Sequence, residues 1–273
     1  MNRITDYQHL KENIVDWLSQ YVLDNPSIKA FVVGVSGGID SAVTATLCAE
    51  TGFPTYVVSM PLYSSHDTDS LSRDYVNELE KKYDNVTKVR VELSGVYDKF
   101  LQSFGWWTGD EFTKSELANA NTKSRLRMVT LYQVAGSKNG IVVGTGNKVE
   151  DYGVGFYTKY GDGGVDIAPI ADLYKTEVWE LGKYLGVDQR IIDAPPTDGL
   201  WGDSRTDEQQ LGVSYELLEW VMESEIMKWE DPSSLDMWKG NPLSDEQKHA
   251  VKQYQKFNTQ NQHKMTSIPT FKL

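Results

Sequence analysis

The sequence has one cysteine, a shortage of basic residues and no long apolar run, and each absence excludes a class of protein. Cys48 cannot form an internal disulfide, so nothing in the sequence asks for an oxidising compartment, and a cytoplasmic location is the expectation. No apolar run approaches the roughly 20 residues needed to span a bilayer, so we expect no membrane insertion. Residues 1–21 carry charges between their apolar positions and are predicted to be structural rather than a secretory signal.

The charge balance argues against a nucleic-acid ligand. The 39 Asp and Glu residues against 27 Lys and Arg give a formal net charge of −12, and this excess opposes binding to a phosphate backbone. A polyanionic substrate would therefore need a locally basic pocket. The 273 residues suffice for one large α/β domain, and we predict a single domain over residues 1–273.

Short apolar runs alternate with amphipathic stretches along the chain. The runs predict buried strands at 30–35, 55–59, 87–93 and 140–145. The amphipathic stretches predict helices at 3–23, 40–50, 67–82 and 114–135. This alternation predicts an α/β fold, a doubly wound, mostly parallel sheet with helices on both faces. Ligands of such sheets bind beyond the carboxyl ends of the strands.

Three other segments carry predictions about organisation. The helix at 114–135 has apolar positions at Leu117, Met128, Leu131 and Val134, which could form either a subunit interface or a face of the core. Two segments rich in Gly, Asp and Pro, at 160–169 and 193–207, are predicted to be functional loops, because structureless loops of that length are uncommon otherwise.

Residues 36–41 read Ser-Gly-Gly-Ile-Asp-Ser and join the first predicted strand to the next helix. Backbone amides and the helix dipole at such a junction can face an anion. The Gly-Lys-Ser/Thr ending of a Walker A loop is missing. Asp40 would repel a bound phosphate unless a cation bridges them, so the loop predicts Mg²⁺ between Asp40 and phosphate oxygens. Glu150, just after the strand at 140–145, could supply a second carboxylate.

The helix at 114–135 also carries polar candidates. Asn121 and Arg125 are four residues apart and share one face. Arg125 could clamp phosphates there, although basic residues on a helix more often form a solvated charged face. Thr145, at the end of the last predicted strand, can bond a nucleotide.

Residues 36–41 resemble the signature of the ATP pyrophosphatases, which cleave ATP to AMP and pyrophosphate while activating a carboxylate, amide or carbonyl oxygen. That signature alone does not choose a member. The segments at 158–162, 166–170, 173–175 and 196–201 together resemble the NAD synthetase family, and the similarity extends to the pair His263 and Lys264 near the C-terminus. Met265 follows that pair, where many relatives continue with Arg.

The resemblance implies roles for individual residues. ATP would be bound by Gly34, Val35, Ser36, Gly37, Gly38, Ile39, Asp40, Ser41, Thr145, Lys175 and Thr197. Deamido-NAD would be bound by Arg125, Lys159, Asp166, His263 and Lys264, with Asn121 and Arg127 as further candidates. Mg²⁺ would be held by Asp40 and Glu150, and Asp40 and Lys175 would be catalytic.

The implied reaction converts deamido-NAD to NAD. The nicotinate carboxylate would attack the α-phosphorus of ATP, pyrophosphate would leave, and ammonia would attack the acyl-adenylate. Glutamine-dependent relatives carry an N-terminal amidohydrolase domain with a nucleophilic Cys. The synthetase motifs here begin by residue 41, so free ammonia is the expected donor, with a separate glutaminase subunit as the alternative. The resemblance also implies a homodimer with deamido-NAD at the interface.

Two other functions stay open at this point. Another ATP pyrophosphatase could act on a different carboxylate or on tRNA, although a tRNA substrate would favour a basic surface or a pair of thiol-bearing Cys residues. A nucleotide-sensing protein could bind ATP without turnover, and the absence of a metal carboxylate would favour it. Asp40 and Glu150 are both present.

Overall fold

The computed structural model describes residues 3–105, 111–201, 203, 205–224, 226–228, 237–238 and 241–272. The helices are α1 (Tyr7–Asp24), α2 (Ile39–Glu50), α3 (His66–Lys82), α4 (Ser94–Gly105), α5 (Glu116–Lys138), α6 (Lys175–Leu185), α7 (Gln189–Ile192), α8 (Asp207–Leu211), α9 (Tyr215–Ser224) and α10 (Asp245–Met265). The strands are β1 (Ala30–Gly34), β2 (Thr55–Ser59), β3 (Val86–Arg90), β4 (Gly140–Val143), β5 (Met237–Trp238) and β6 (Asn241–Pro242). Residues 202 and 204 of the predicted loop at 193–207 lie outside the described residues.

Strands β1 to β4 form a parallel sheet in the order β3-β2-β1-β4. The predicted α/β class is therefore confirmed. The chain moves outward from β1 to β2 and β3, then returns to place β4 on the other side of β1. Such a reversal opens a crevice at the carboxyl ends of the two adjacent strands. Here those ends lead into residues 35–41 and 144–150, the segments in which the sequence analysis predicts ligands of ATP and Mg²⁺.

Helices cover both faces of the sheet. Successive strand residues point to opposite sides, and in β1 the residues of both sides are buried against helices. Phe31 and Val33 of β1 pack in the cluster that contains buried residues of α1, α2, α3 and α6. Val32, between them, packs against Met128 and Leu131 of α5. A doubly wound arrangement follows from this alternation. Met128 and Leu131 are each 6% exposed, so this face of α5 is core.

Capping side chains explain where two helices depart from the predicted limits. Helix α1 begins at Tyr7 because the Asp6 carboxylate accepts a hydrogen bond from the backbone N–H of His9. Helix α5 starts after Ser115, whose hydroxyl accepts the N–H of Ala118, and it ends at Asn139 in a left-handed conformation. The helix therefore extends three residues beyond the predicted limit of 135, to Lys138, and Asn139 is its C-cap.

A second core cluster lies beside α6. It contains buried residues of α9 and α10, together with Val149 and Val154 from a single π-helical turn at Val149–Val154. Trp179 of α6 packs against both this cluster and the main one. The cluster therefore fixes the turn that carries Glu150 relative to α6. In the described part of the chain, no helix is both long and apolar enough to cross a membrane.

Helix α1 offers a matched pair of leucines for testing the core. Leu18 is 0% exposed and Leu23 is 62% exposed. Leu18→Ala should lower the free energy of unfolding by about 2–5 kcal/mol, because it leaves a cavity in the main cluster. Leu23→Ala should change it by no more than about 0.5 kcal/mol. Urea denaturation measures both, and equal losses would contradict the packing described here.

Candidate active site

The loop at 36–41 is held in one shape by its own hydroxyl groups. The Ser36 hydroxyl accepts the backbone N–H of Gly38 at 3.2 Å, and the Ser41 hydroxyl donates to the carbonyl oxygen of Gly38 at 2.9 Å. Gly37 has φ of 93°, and a Cβ there would lie 3.0 Å from the carbonyl oxygen of Thr68. Only glycine fits that position. The loop thus delivers the chain into α2, whose first turn carries Asp40.

Asp40, Glu150 and Lys175 converge, as the sequence predicts for ligands of one site. The Lys175 Nζ donates to Asp40 Oδ2 at 2.5 Å and to Glu150 Oε1 at 3.1 Å. The three side chains are 17%, 15% and 3% exposed, respectively. They come from the first turn of α2, the π-helical turn after β4 and the first residue of α6. The crevice beside β1 and β4 therefore contains a buried ionic cluster.

Burial and charge compete in this cluster. Burial raises the pKa of Asp40 to about 6, although the Lys175 ammonium opposes the shift. Burial disfavours the charged form of Lys175, but the carboxylates of Asp40 and Glu150 outweigh it and raise its pKa above the usual value. Lys175 therefore stays an ammonium ion at neutral pH.

Two residues that the sequence analysis did not identify complete the cluster. The Tyr215 hydroxyl, at the start of α9, donates to Glu150 Oε1 at 2.6 Å and lies 3.4 Å from Asp207 Oδ2. Burial, followed by the charge of Glu150, raises the pKa of Asp207 to about 7. Asp207 also accepts the backbone N–H of Asp198 at 3.0 Å. Asp207 is the last residue of the predicted loop at 193–207, so the Tyr215 hydroxyl links that loop to Glu150.

The donor set fits a magnesium ion shared with phosphate groups. Within the described residues, the Oδ1 atom of Asp40 is buried without a hydrogen-bond partner. Among those residues, no group of three or more His, Cys, Asp or Glu side chains is arranged to hold a metal unaided. Mg²⁺ is commonly held by one or two carboxylates together with substrate phosphates. Asp40 and Glu150 supply oxygens of that kind.

Four of the residues predicted to bind deamido-NAD lie together. Arg125 Nε donates to the carbonyl oxygen of Lys159 at 3.2 Å, and Lys159 Nζ donates to that of His263 at 3.2 Å. Lys264 Nζ donates to the carbonyl oxygen of Tyr157 at 2.7 Å. The C-terminal end of α10 therefore meets α5 across the segment 157–159, and basic groups gather there.

Asp166 is the fifth residue predicted to bind deamido-NAD, and its carboxylate also accepts hydrogen bonds from within the fold. Its Oδ2 accepts the N–H of Val142 in β4 at 2.7 Å, and its Oδ1 accepts the Tyr132 hydroxyl at 3.0 Å. Tyr132 also lines an open groove of about 700 Å³ on α5, together with Arg125 and Tyr160. The groove has room for a nucleotide-sized ligand.

The segment 157–162 is joined to α5 by hydrogen bonds between polar side chains. Asn121 Oδ1 accepts the Thr158 hydroxyl at 2.7 Å. Asp162, which the sequence analysis passed over, accepts the Ser124 hydroxyl at 2.6 Å and the N–H of Thr158 at 3.0 Å. Its position inside a glycine-rich motif was the available signal for this residue.

The two threonines predicted to bind ATP lie in different segments, Thr145 after β4 and Thr197 in the loop at 193–207. Thr145 follows β4 and is half-buried. The Thr197 hydroxyl donates to the carbonyl oxygen of Arg205 at 3.1 Å and accepts the N–H of Gly199 at 3.2 Å. The Thr197 hydroxyl thus forms hydrogen bonds between two parts of the loop at 193–207.

Comparisons with known proteins agree on a family. The family model described as NAD synthase matches residues 10–267. The NH(3)-dependent NAD(+) synthetase of Carboxydothermus hydrogenoformans is 40% identical over 212 residues, which cover 77% of this chain and 83% of that one. Among solved structures, NMN synthetase from Francisella tularensis has a TM-score of 0.83 and 31% identity, covering 99% of this chain and 100% of that one. The NH3-dependent NAD synthetase from Campylobacter jejuni has a TM-score of 0.71 and 25% identity, covering 98% and 100%.

The buried cluster generates a prediction about stability. Lys175→Met should lower the free energy of unfolding by about 3–5 kcal/mol near pH 8, because two buried carboxylates lose their cation. The loss should shrink toward pH 5. The site already raises the pKa of Asp40 to about 6, and removing the ammonium raises it further. A carboxyl group whose pKa is higher in the folded than in the unfolded state destabilises the fold increasingly as pH rises through that interval.

Lys183→Met is the matched control, since Lys183 lies on the same helix with a side chain that is 53% exposed. Its effect should stay within about 0.5 kcal/mol. Urea denaturation of both variants at pH 5 and pH 8 provides the measurement. An identical loss for Lys175→Met at the two pH values would contradict the electrostatic account.

Proposed function

The chain belongs to the NAD synthase family, and we propose that it converts deamido-NAD to NAD with ATP and free ammonia, as an amide-forming ligase. The observation that carries the proposal is the convergence of Asp40, Glu150 and Lys175 beside the loop at 36–41. That arrangement combines a phosphate loop, a carboxylate pair and a permanent cation at one end of a parallel sheet.

ATP is needed because a carboxylate does not react with ammonia directly. The nicotinate carboxylate oxygen forms a bond to the α-phosphorus, and the bond from that phosphorus to pyrophosphate breaks. Ammonia then forms the amide bond, AMP leaves with the carboxylate oxygen, and a proton is lost from nitrogen. The residues named here serve this sequence by positioning and by charge stabilisation rather than by forming a covalent intermediate.

The proposed ATP site is built around the loop at 36–41 and the end of β4. Backbone amides at the start of α2 would face the phosphates. Lys175, held as an ammonium, would neutralise charge that develops on departing pyrophosphate. Thr145 and Thr197 would contact the nucleotide from either side. Asp40 and Glu150 would hold Mg²⁺, which supplies further charge neutralisation when bound.

The proposed pyridine nucleotide site lies on the other side of β4. The gathered basic residues Arg125, Lys159 and Lys264 would bind its phosphates, and His263 and Asp166 would line the same region. The groove on α5 is bordered by Val129, which is 67% exposed, and by Tyr132, which is 40% exposed. We propose that a second copy of the chain covers this face in a homodimer. A cytoplasmic location and a single domain stay predictions.

The loop at 193–207 is proposed to act as a lid. An acyl-adenylate is hydrolysed when water reaches it before ammonia does, so the intermediate needs a cover. The backbone of Asp198 is bonded to Asp207, which lies beside the Tyr215 hydroxyl that holds Glu150. A movement of the loop would therefore be transmitted through Asp207 and Tyr215 to Glu150, one of the two carboxylates proposed to hold Mg²⁺.

A second candidate substrate comes from one comparison. The Francisella tularensis structure that matches this chain over its whole length is an NMN synthetase. That name describes amidation of the same nicotinate carboxylate on a mononucleotide. The reaction centre would be unchanged, and only the residues that contact the second nucleotide would lose their role. The relatives that carry the name NH(3)-dependent NAD(+) synthetase, at 35–40% identity, favour the dinucleotide.

One assay tests the reaction and ranks the two substrates. The protein is incubated with ATP, Mg²⁺ and an ammonium salt, together with either deamido-NAD or nicotinate mononucleotide. We expect AMP, pyrophosphate and amide in equal amounts, and a higher kcat/KM for deamido-NAD. Lys175→Met should reduce kcat by about 100-fold or more, as loss of a charge-stabilising group does, whereas Lys183→Met should retain full activity.

The outcomes separate the alternatives. A higher kcat/KM for the mononucleotide would assign the second candidate function. Formation of ADP in place of AMP would exclude adenylation altogether. Undiminished turnover by Lys175→Met would remove that residue from the catalytic centre.

A further inference from the structure

Arg127 of α5 is a half-buried cation that makes one hydrogen bond to the described residues. Its Nε donates to the carbonyl oxygen of Met60 at the long distance of 3.4 Å. Among the residues that the structure describes, no other hydrogen bond or ion pair of this side chain is present. A guanidinium has five N–H donors. Burial lowers the pKa of Arg127, with the charges of Asp162 and Asp198 acting in the opposite direction.

The two carboxylates whose charges act on Arg127 already accept hydrogen bonds from other groups. Asp162 accepts hydrogen bonds from Ser124 and Thr158. Asp198 accepts three hydrogen bonds from its own loop and from α8, donated by Leu200 N, Trp201 Nε1 and Gln210 Nε2. Asp162 and Asp198 therefore attract the Arg127 guanidinium through their charge, but they accept no hydrogen bond from it. Arg127 is half-buried, and most of its N–H donors are unused by the described residues, so they are available to an anionic ligand.

The position of Arg127 identifies what that ligand can be. Met60 directly follows β2, and its Cε lies 3.3 Å from where a Cβ on Gly34 would be, at the entrance to the loop at 36–41. On the other side, Asp162 belongs to the segment beside the proposed pyridine site. One turn earlier on α5, Lys123 Nζ donates to the carbonyl oxygen of Leu200 at 2.9 Å, beneath the proposed lid. Arg127 thus lies between the two nucleotide sites.

We propose that Arg127 is a catalytic residue whose guanidinium binds an oxyanion of the adenylation step, either the nicotinate carboxylate or the α-phosphate of ATP. This rests on the proposed function and extends it to the reacting groups. The guanidinium fork matches both anions with two parallel hydrogen bonds. Neutralising either anion lets the carboxylate approach a phosphate that would otherwise repel it. No proton or electron passes through Arg127, because the bonds formed and broken are those between the carboxylate, the α-phosphorus and pyrophosphate.

Arg127→Met, Arg127→Lys and the control Arg190→Met test the proposal. Arg190 is an exposed arginine of α7 paired with Asp188. We expect Arg127→Met without ligands to melt at or above the wild-type temperature, because the side chain has no ion pair to lose. Exchange of labelled pyrophosphate into ATP, measured with the pyridine substrate present, should fall by about 100-fold or more. Arg127→Lys keeps the charge but lacks the forked pair of donors, so its exchange rate should fall by about 10-fold or more. The exchange rate of Arg190→Met should equal that of the wild type.

Titration calorimetry distinguishes the two anions. Weaker binding of deamido-NAD alone by Arg127→Met identifies the carboxylate, and weaker binding of α,β-methylene-ATP with Mg²⁺ identifies the phosphate. The proposal is overturned if the Arg127 variants retain wild-type exchange. It is also overturned if Arg127→Met melts several degrees lower and Arg127→Lys is fully active, since a structural role would give that result. If the wild-type protein shows no exchange with either pyridine substrate, the proposed function fails, whereas the melting and nucleotide-binding measurements still decide whether Arg127 binds an anion.

Discussion

The ion cluster of Lys175 with Asp40 and Glu150 is the interaction on which the site depends. Each member lies at the start of a different element, and the ammonium is within hydrogen-bond distance of both carboxylates. Buried charges are tolerated only when they are paired, so the three elements must meet in one geometry. The cluster therefore fixes the loop at 36–41, the turn after β4 and the first turn of α6 relative to one another. A nucleotide that binds at this end of the sheet meets groups that are already placed.

The rest of the proposed site can be understood as two regions that meet at the ends of β1 and β4. On one side lie the phosphate loop and the carboxylate pair, extended through Tyr215 to Asp207 and the loop at 193–207. On the other side, Arg125, Lys159 and Lys264 surround the segment 157–159. The net negative charge of the chain makes this local basic region the natural place for an anionic dinucleotide. Arg127 lies between the regions, where a carboxylate must approach a phosphate.

The features that could be predicted from the sequence are those that depend on neighbouring residues, namely the strands and the loop that carries Asp40. The alternating apolar runs placed the four strands of the parallel sheet, and the position of Asp40 behind two glycines indicated a cation-bridged phosphate site. Tyr215 could not be found in this way, because it is 65 residues from Glu150 and its role arises only when α9 packs beside the π-helical turn. Arg125 and Arg127 show the same limit. They are two positions apart in one motif, yet only the packing of α5 reveals that Arg125 is exposed and Arg127 half-buried.

The central claim is that the substrate carboxylate is activated by bonding to the α-phosphorus of ATP at this cluster. Deamido-NAD labelled with ¹⁸O in its nicotinate carboxylate tests that claim directly, because the oxygen that bonds to phosphorus stays with it when ammonia forms the amide. Mass spectrometry of the products after a single turnover should find one ¹⁸O atom in AMP and none in pyrophosphate. Label in pyrophosphate or inorganic phosphate, with AMP unlabelled, would contradict the account.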